Sequence, residues 1–463
     1  MKKKRYDVVI VGAGPAGIFA AMELVEENRL SVLMIEKGRD ITGRRCPMKL
    51  REISCTACAE CGLLSGWGGA GAFSDGKLSL SPEVGGFLKE YVSADVLEEM
   101  MKYVDSLYVR FGAPKEVYGQ DGGGIAEISR QAAKCGLLFV HSPIRHIGTD
   151  RAKGLLKKMK DHLAPRVDIM FETHVEEVLT EGGKAAGVKL AGGEEVEAGY
   201  VILAPGREGS KWLEKEVKRL ALTVYNNPVD IGVRVEVPAP VLENLTNITY
   251  EPKFIYHSRG FDDRVRTFCV NPYGEVVKEY LKGIWTVNGH SYARKRTKNT
   301  NFALLVSTTF TEPFHEAVSY GRHIAQLANF LGQGVLVQRL GDLLAGRRST
   351  PERIRKGVVS PTLKDATPGD LSFVIPYRYL SDIIEMLEAL DKLAPGVNAR
   401  HTLLYGVEVK FYSMKPKLTN TLETEVGNLF AVGDGAGVSR GLVQASASGV
   451  IAATEILGRA GRG

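Results

Sequence analysis

The chain lacks any apolar run long enough to cross a bilayer: no stretch approaches the roughly 20 residues that a membrane helix needs. The basic start, MKKKR, meets an apolar stretch too short for a signal peptide, so none is expected. Internal repeats and low-complexity tracts are missing, which removes repeat architectures. Cysteine is scarce, six in 463 residues, and four of the six lie between Cys46 and Cys61. That spacing makes a poor disulfide framework; it points to metal or redox chemistry in a reducing, cytoplasmic compartment. Excess charge is small: a net +6 suits anionic cofactors or substrates and leaves nucleic acid open. With 44% hydrophobic residues, the chain can bury one large core or two ordinary ones.

What is present begins at Asp7, where DVVIVGAGPAG reads as a β-branched strand stopping at Gly12 and opening into the helix IFAAMELVEEN. Gly12 suits the tight turn, Gly14 lets a pyrophosphate approach the backbone, and Gly17 allows close helix–strand packing. The helix N-terminus offers N–H groups and positive dipole to the anion. A second strand, SVLMIEKG, ends at Glu36, 22 residues beyond Gly14, where a ribose acceptor is expected.

Beyond it lie the cysteines and a glycine-rich stretch, GWGGAGAFSDGK. Residues 87–111 read as helical, and Thr149 or Asp150 is expected to cap a helix that follows a strand and a loop. Asp168 to Leu203 is strand-rich, with hairpin signals at Gly182-Gly183 and Gly192-Gly193, and ends in YVILAPG. From Trp212 the character changes: VDIGVRVEVP, FIYHSRG, RTFCVNP and IWTVNGH read as strands of a separate sheet. Helices around 314–331 and 377–393 flank RRSTPERIRKG, Arg347 to Gly357, which reads as a solvated basic linker. After Thr402, TEVGNLFAVGDGAG leads into the closing helix LVQASASGVIAATEILG. The expected fold is α/β: a discontinuous Rossmann-type domain, 1–211 and 401–463, with an inserted mixed α/β substrate domain, 212–400.

VVIVGAGPAG, GYVILAPG and NLFAVGDGAG resemble the three signatures of single-Rossmann FAD oxidoreductases. GGAGAFSDGKL, HIGTD, NPYGEVV, NGHS and NTNFALLVS extend the resemblance over the whole chain, to the FAD-dependent dehydrogenase/oxidoreductase group of bacteria and archaea. The resemblance implies FAD. Gly12, Gly14, Ala16 and Gly17 would cradle its pyrophosphate, and Glu36 and Lys37 would take the adenosine side. Asp434, after Gly433, would bind the ribityl chain. The helix starting near Gly441, with Gln444, would face the flavin N1–C2 region, where reduced flavin carries negative charge. Further contacts are implied at Arg44, Gly69, Ala70, Gly71, Lys77, Val175, Ala204 and Gly206. Pro205 stands where a threonine is frequent, a change expected to alter only a local turn.

A second strand–GxGxxG–helix unit, needed for a dedicated NAD(P) domain, is missing. Gly122-Gly123-Gly124 follows no clear strand, and Gly332-Gln333-Gly334 lacks a third glycine. A ferredoxin-like or other one-electron donor is therefore expected. Cys55-x-x-Cys58-x-x-Cys61, with Cys46 upstream, can present its thiolates to one centre. A [4Fe–4S] cluster is the leading expectation, ahead of a structural zinc site held by the four thiolates, a redox disulfide and unligated thiols. Cys135 reads as core; Cys269 is open.

On the substrate side, Lys77 is expected near the phosphates or the reactive ring edge, and His146 as an active-site contact. His290 and Tyr292, in the basic loop NGHSYARKRTKNTN, are candidate proton donors. The expected reaction is two-electron reduction or dehydrogenation of a small organic substrate, with electrons relayed through the cluster. Two alternatives stay open: a flavoenzyme modifying tRNA, and a non-catalytic FAD electron-transfer protein with structural zinc. Nucleic acid is the rival partner rather than the expected one, and oligomeric state is left open.

Overall fold

A computed structural model describes residues 4–26, 29–47, 58–225, 227–281, 283–292, 296–310, 317–411 and 413–461. The chain forms two compact units: Met1–Glu116, Arg145–Asn227 and Tyr412–Gly463 make the first, and Val117–Ile144 with Pro228–Phe411 the second.

These limits differ from those expected, and tertiary pairing is the reason. The helix Ser210–Arg219 sends Leu213 and Val217 into the first unit's core, so that unit continues past 211. The strand Leu403–Lys410 pairs with Val229–Pro238, which moves the closing boundary beyond 401. The strand Leu138–Val140 pairs with Lys253–His257, which carries the helix Gly122–Lys134 and its neighbours into the second unit.

In the first unit, Val167–Met170, Val32–Ile35, Arg5–Val11, Glu195–Leu203 and Leu429–Ala431 run parallel in that order. Strands buried on both faces read as unbroken apolar runs, and VVIV at 8–11 is such a run. Two antiparallel hairpins, turning at Gly182-Gly183 and Gly192-Gly193, complete the sheet. The first helix, Pro15–Leu24, packs against the closing helix, Leu442–Ala460. Small residues permit that approach: a Cβ on Gly449 would lie 2.0 Å from the Ala16 carbonyl oxygen. Residues 87–111 form a short 3-10 turn, Leu88–Glu90, then the helix Ala94–Arg110 capped by Ser93. The helix Thr149–Leu163 is capped by Gly148, at φ +84°, rather than by Thr149 or Asp150.

The second unit holds an eight-stranded sheet whose central strand, Val229–Pro238, is buried on both faces in different ways. Val229, Ile231, Val233, Val235 and Val237 enter an apolar core with the helices Ala317–Gly332 and Tyr377–Leu393. Asp230, Arg234 and Glu236 alternate with them and are fully buried in a polar network. Arg234 makes a two-pronged ion pair with Glu408 at 2.7 and 2.8 Å and donates to Asn288, Asn301 and the Cys269 carbonyl. Glu236 accepts from Asn299, Thr362 and Tyr405.

Two expectations are corrected here. IWTVNGH is not in the main sheet; Ile284–His290 pairs only with Glu275–Leu281 among the described residues. Arg347 to Gly357 is solvated over most of its length, as expected, but it is not a plain linker: Arg347 and Ser349 bind the buried Asp342, and Pro351–Arg355 is helical. Among the described residues no helix is long and apolar enough to cross a membrane.

Candidate functional site

The first turn leaves the sheet at Gly12, whose N–H donates to the Ile35 carbonyl at 2.8 Å. Gly12 sits at φ +109°, and a Cβ there would lie 2.2 Å from the Ala204 carbonyl oxygen. A Cβ on Gly17 would lie 2.0 Å from the Gly12 carbonyl oxygen, so these two glycines serve packing. Gly14 is different: a Cβ there would have the Gly69 Cα, at 4.0 Å, as its nearest neighbour, because this glycine faces a cavity.

The cavity has a volume of about 390 Å³, within the range of small-molecule and cofactor sites, and all its lining residues belong to the first unit. Gly12, Gly14, Ala16, Glu36, Lys37 and Lys77 line it, as do Gly69, Ala70, Gly71 and Val175. Ala204, Gly206, Gly433, Asp434 and Gly441 line it too, whereas Gly17, Arg44 and Gln444 do not. Gly14 and Gly441 are the N-caps of the first and closing helices, and neither helix has a side-chain cap. Two uncapped helix N-termini thus open on one cavity, which suits an anionic, elongated ligand. The buried Ser65 Oγ, also in the wall, has no hydrogen-bond partner among the described residues. Helix ends, glycine cradle and orphaned hydroxyl fit a dinucleotide such as FAD.

Three expected cofactor residues do other work. Gly17 packs the helix, as above. Arg44 is buried and donates to the carbonyls of Gly62, Leu63, Trp67 and Gly69, shaping the glycine-rich loop behind the cavity wall. Burial pushes its guanidinium down to about 10. Gln444 donates to the Pro82 and Val84 carbonyls and accepts from the Leu88 N–H, fixing the neighbouring loop. Glu36 lines the cavity, but its carboxylate already accepts the N–H groups of Ala13, Gly38 and Gly66 at 2.8–2.9 Å. It clamps the turn to two other segments.

At another part of the wall, Lys77 and Asp75 form an ion pair at 3.1 Å, both largely shielded from solvent. Backbone bonds from Ile147 to Gly76 and from Gly148 to Asp75 bring His146 beside them. Burial pushes the His146 imidazole down, opposed by Asp75 and assisted by Lys77. Asp434 accepts from Ser439 at 2.6 Å and faces Arg207 at 3.8 Å.

Among the cysteines, Cys46 and Cys61 are half-buried and Cys58 exposed, whereas Cys55 lies outside the described residues. Burial raises the Cys61 thiol, and Cys46 is near enough to add to the effect. Among the described residues no group of three or more metal-ligating side chains assembles. Cys135 packs on the second unit's apolar core, and Cys269 offers its carbonyl to Arg234. His290 and Tyr292 belong to the second unit. The Tyr292 phenol donates to Glu275 at 2.8 Å, and burial beside that carboxylate raises it to about 12. Their rings are 6.4 Å apart. Wall residues that sequence reasoning missed include Glu60, Ser65, His174, Arg207, Trp212 and Arg440. Glu60 lies inside Cys58-x-x-Cys61, Ser65 precedes GWGGAGAFSDGK, Arg207 follows YVILAPG and Arg440 adjoins Gly441, whereas His174 stands near no recognised motif.

Three family profiles match the chain. Residues 228–411 match "FAD-dependent protein, C-terminal domain-like", and residues 6–58 match "Pyridine nucleotide-disulphide oxidoreductase". Residues 366–462 match "Glucose inhibited division protein A". No curated protein matches. Among solved structures, glycine oxidase from Bacillus cereus ATCC 14579 is 16% identical, covering 98% of this chain and 95% of its own, with a TM-score of 0.36. L-proline dehydrogenase from P. horikoshii is 11% identical, covering 98% and 94%, with a TM-score of 0.41. The flavin-dependent profile falls on the second unit and the nucleotide-linked one on the strand–turn–helix that opens the cavity, and together they support an FAD-dependent oxidoreductase.

Proposed function

We propose that this flavoprotein carries out two-electron reduction or dehydrogenation of a small organic substrate, with Lys77 and Asp75 setting charge at the cavity wall and His146, beside them, supplying a proton. The observation that carries this reading is the shielded Lys77–Asp75 pair on the cavity surface, with His146 beside it. When bound, FAD supplies the hydride chemistry. Asp75 holds the Lys77 ammonium in place, so the wall presents a fixed cation where negative charge can be stabilised. His146, held toward its neutral form, can accept and return a proton at its imidazole. His290 and Tyr292 are proposed as donors to the substrate, Tyr292 being kept protonated by its raised pKa.

One variant set separates these roles. Lys77→Met is expected to lower the flavin midpoint potential by on the order of 30 mV, about 1.4 kcal/mol for a two-electron couple. His290→Ala and Tyr292→Phe are expected to leave that potential unchanged and slow substrate turnover by about 10²–10⁴-fold. An unmoved potential in Lys77→Met would remove the lysine from the flavin site. Parent turnover in both second-unit variants would pass the donor role to His146.

The cysteine segment is proposed to relay single electrons from a ferredoxin-like or other one-electron donor through a [4Fe–4S] cluster on Cys46, Cys55, Cys58 and Cys61. Two observations support it: Cys46 neighbours Cys61, and Glu60 and Leu64, on either side of Cys61, line the cavity. A thiol-rich segment also suits a cytoplasmic setting. Anaerobically purified protein should contain iron and absorb broadly beyond its flavin bands, and each Cys→Ser change should remove both signals while flavin stays. Zinc in place of iron would assign a structural site; neither metal, with only two cysteines mattering, would assign a redox disulfide.

A second reading, a flavoenzyme acting on tRNA, draws on the match of residues 366–462 and the net basic charge. Affinity for tRNA falling steeply with added salt would support it.

A further inference from the structure

In the second unit, the turn that joins the strands Lys253–His257 and Arg264–Asn271 is seated on the helix Tyr377–Leu393. Glu385 accepts the Arg259 and Gly260 N–H groups at 2.7 and 3.3 Å and the Tyr256 phenol at 3.1 Å. Arg378 makes a two-pronged ion pair with Asp263 at 2.5 and 2.7 Å. Its guanidinium also lies over the Phe261 ring, which meets Tyr377 edge-on. One group in this contact is left over. Asp382, one helical turn beyond Arg378, is fully buried, and neither of its oxygens has a hydrogen-bond partner among the described residues. Ser258 and the Asp263 carboxylate are the polar groups beside it. A buried carboxylate without a partner is costly, and two carboxyl groups can bond to each other only when one carries a proton. Arg378 holds Asp263 below its usual value, whereas burial, with Asp263 adding to it, pushes Asp382 up to about 6. The proton therefore belongs on Asp382.

We propose that Asp382 donates its proton in a hydrogen bond to Asp263, which makes the turn 258–263 an acid-tightened latch on the helix, held while the proton is present and loosened when it leaves. The other charged and titratable groups around the latch are Tyr256, His257 and Arg259 from the strand and turn, and Arg378, Tyr379, Glu385 and Glu388 from the helix. Tyr320, from the helix Ala317–Gly332, faces Tyr379. The sign follows from the raised value of Asp382. The proton stabilises the docked turn, so its contribution is complete below the ordinary carboxyl value of 3.8 and is lost as pH rises through about 6.

The test is amide hydrogen exchange of the peptide spanning 256–263 in the full-length protein, at pH 5 and pH 8, corrected for the intrinsic rate. In the parent, protection should fall by about 10- to 100-fold from pH 5 to pH 8. Asp382→Asn should keep its pH 5 protection at pH 8, because its amide donates to Asp263 without a titrating proton. A merely structural aspartate would give no such gain. Asp263→Asn should also lose the pH dependence, since its amide donates to an ionised Asp382, and it covers the case in which the first variant fails to fold. Imidazole is the side chain that ordinarily changes charge in this range, so His257→Gln is the control and should leave the parent's fall intact. Equal protection in the parent at both pH values would overturn the proposal. So would a fall that survives in either folded Asn variant, or one that disappears in His257→Gln.

Discussion

Gly14→Val is expected to give a folded chain that holds no flavin. Among the three glycines of the turn, it alone has room for a side chain on the protein's own account, with nothing nearer a Cβ than 4.0 Å. The isopropyl group would stand in the cavity in front of the helix N-terminus, where the pyrophosphate meets the backbone. Losing two or more charge-assisted hydrogen bonds should weaken FAD by at least about 100-fold, while the melting temperature of the flavin-free chain moves by only a few degrees. Gly12→Ala, run beside it, should fail to fold, since its Cβ meets the Ala204 carbonyl at 2.2 Å and its φ is +109°. The flavin-to-protein absorbance ratio and a thermal melt are sufficient. Full flavin occupancy in Gly14→Val would remove the cavity from consideration as the FAD site.

Arg234→Met should cost about 3–5 kcal/mol in the second unit, among the largest single-residue effects available there. The change strands the fully buried Glu408 with only Lys410 as a cation among the described residues and removes the donor to Asn288, Asn301 and the Cys269 carbonyl. Pairing it with Glu408→Leu should recover much of the loss, because an apolar pair of similar volume carries no desolvation penalty. Urea unfolding followed by tryptophan fluorescence would measure both. A single variant within about 1 kcal/mol of the parent would mean that the network contributes little.

What could be read from the sequence was local. The strand–turn–helix at 7–24, the glycine-pair hairpins and the closing helix each declare themselves through spacing and turn residues that neighbours alone determine. What escaped depends on partners far along the chain. GLLFV at 136–140 reads as a strand whichever sheet receives it, and only Lys253–His257 assigns it to the second unit. Arg347 and Ser349 look solvated by composition, yet the buried Asp342 claims both. Arg44 and Gln444 were plausible ligands by position, and the carbonyls of adjoining loops took their donors first. Glu60, inside Cys58-x-x-Cys61, and Ser65, just before GWGGAGAFSDGK, stand in or beside recognised stretches whose spacing marks neither, and His174 stands near none; tertiary folding delivers all three to one wall.

The seating of the closing helix on Ala16 also sets a timetable for biosynthesis. Residues 429–460 are translated after all of 228–411, yet they provide the strand beside Glu195–Leu203, the Gly433-Asp434 turn and one of the two helix ends facing the cavity. Until they emerge, the first helix has an uncovered apolar flank and the parallel sheet an unpaired edge, both vulnerable to aggregation on the ribosome. Flavin capture is therefore expected to wait until residues 429–460 have been made and docked. Yellow colour in a preparation would mark chains in which that docking has taken place.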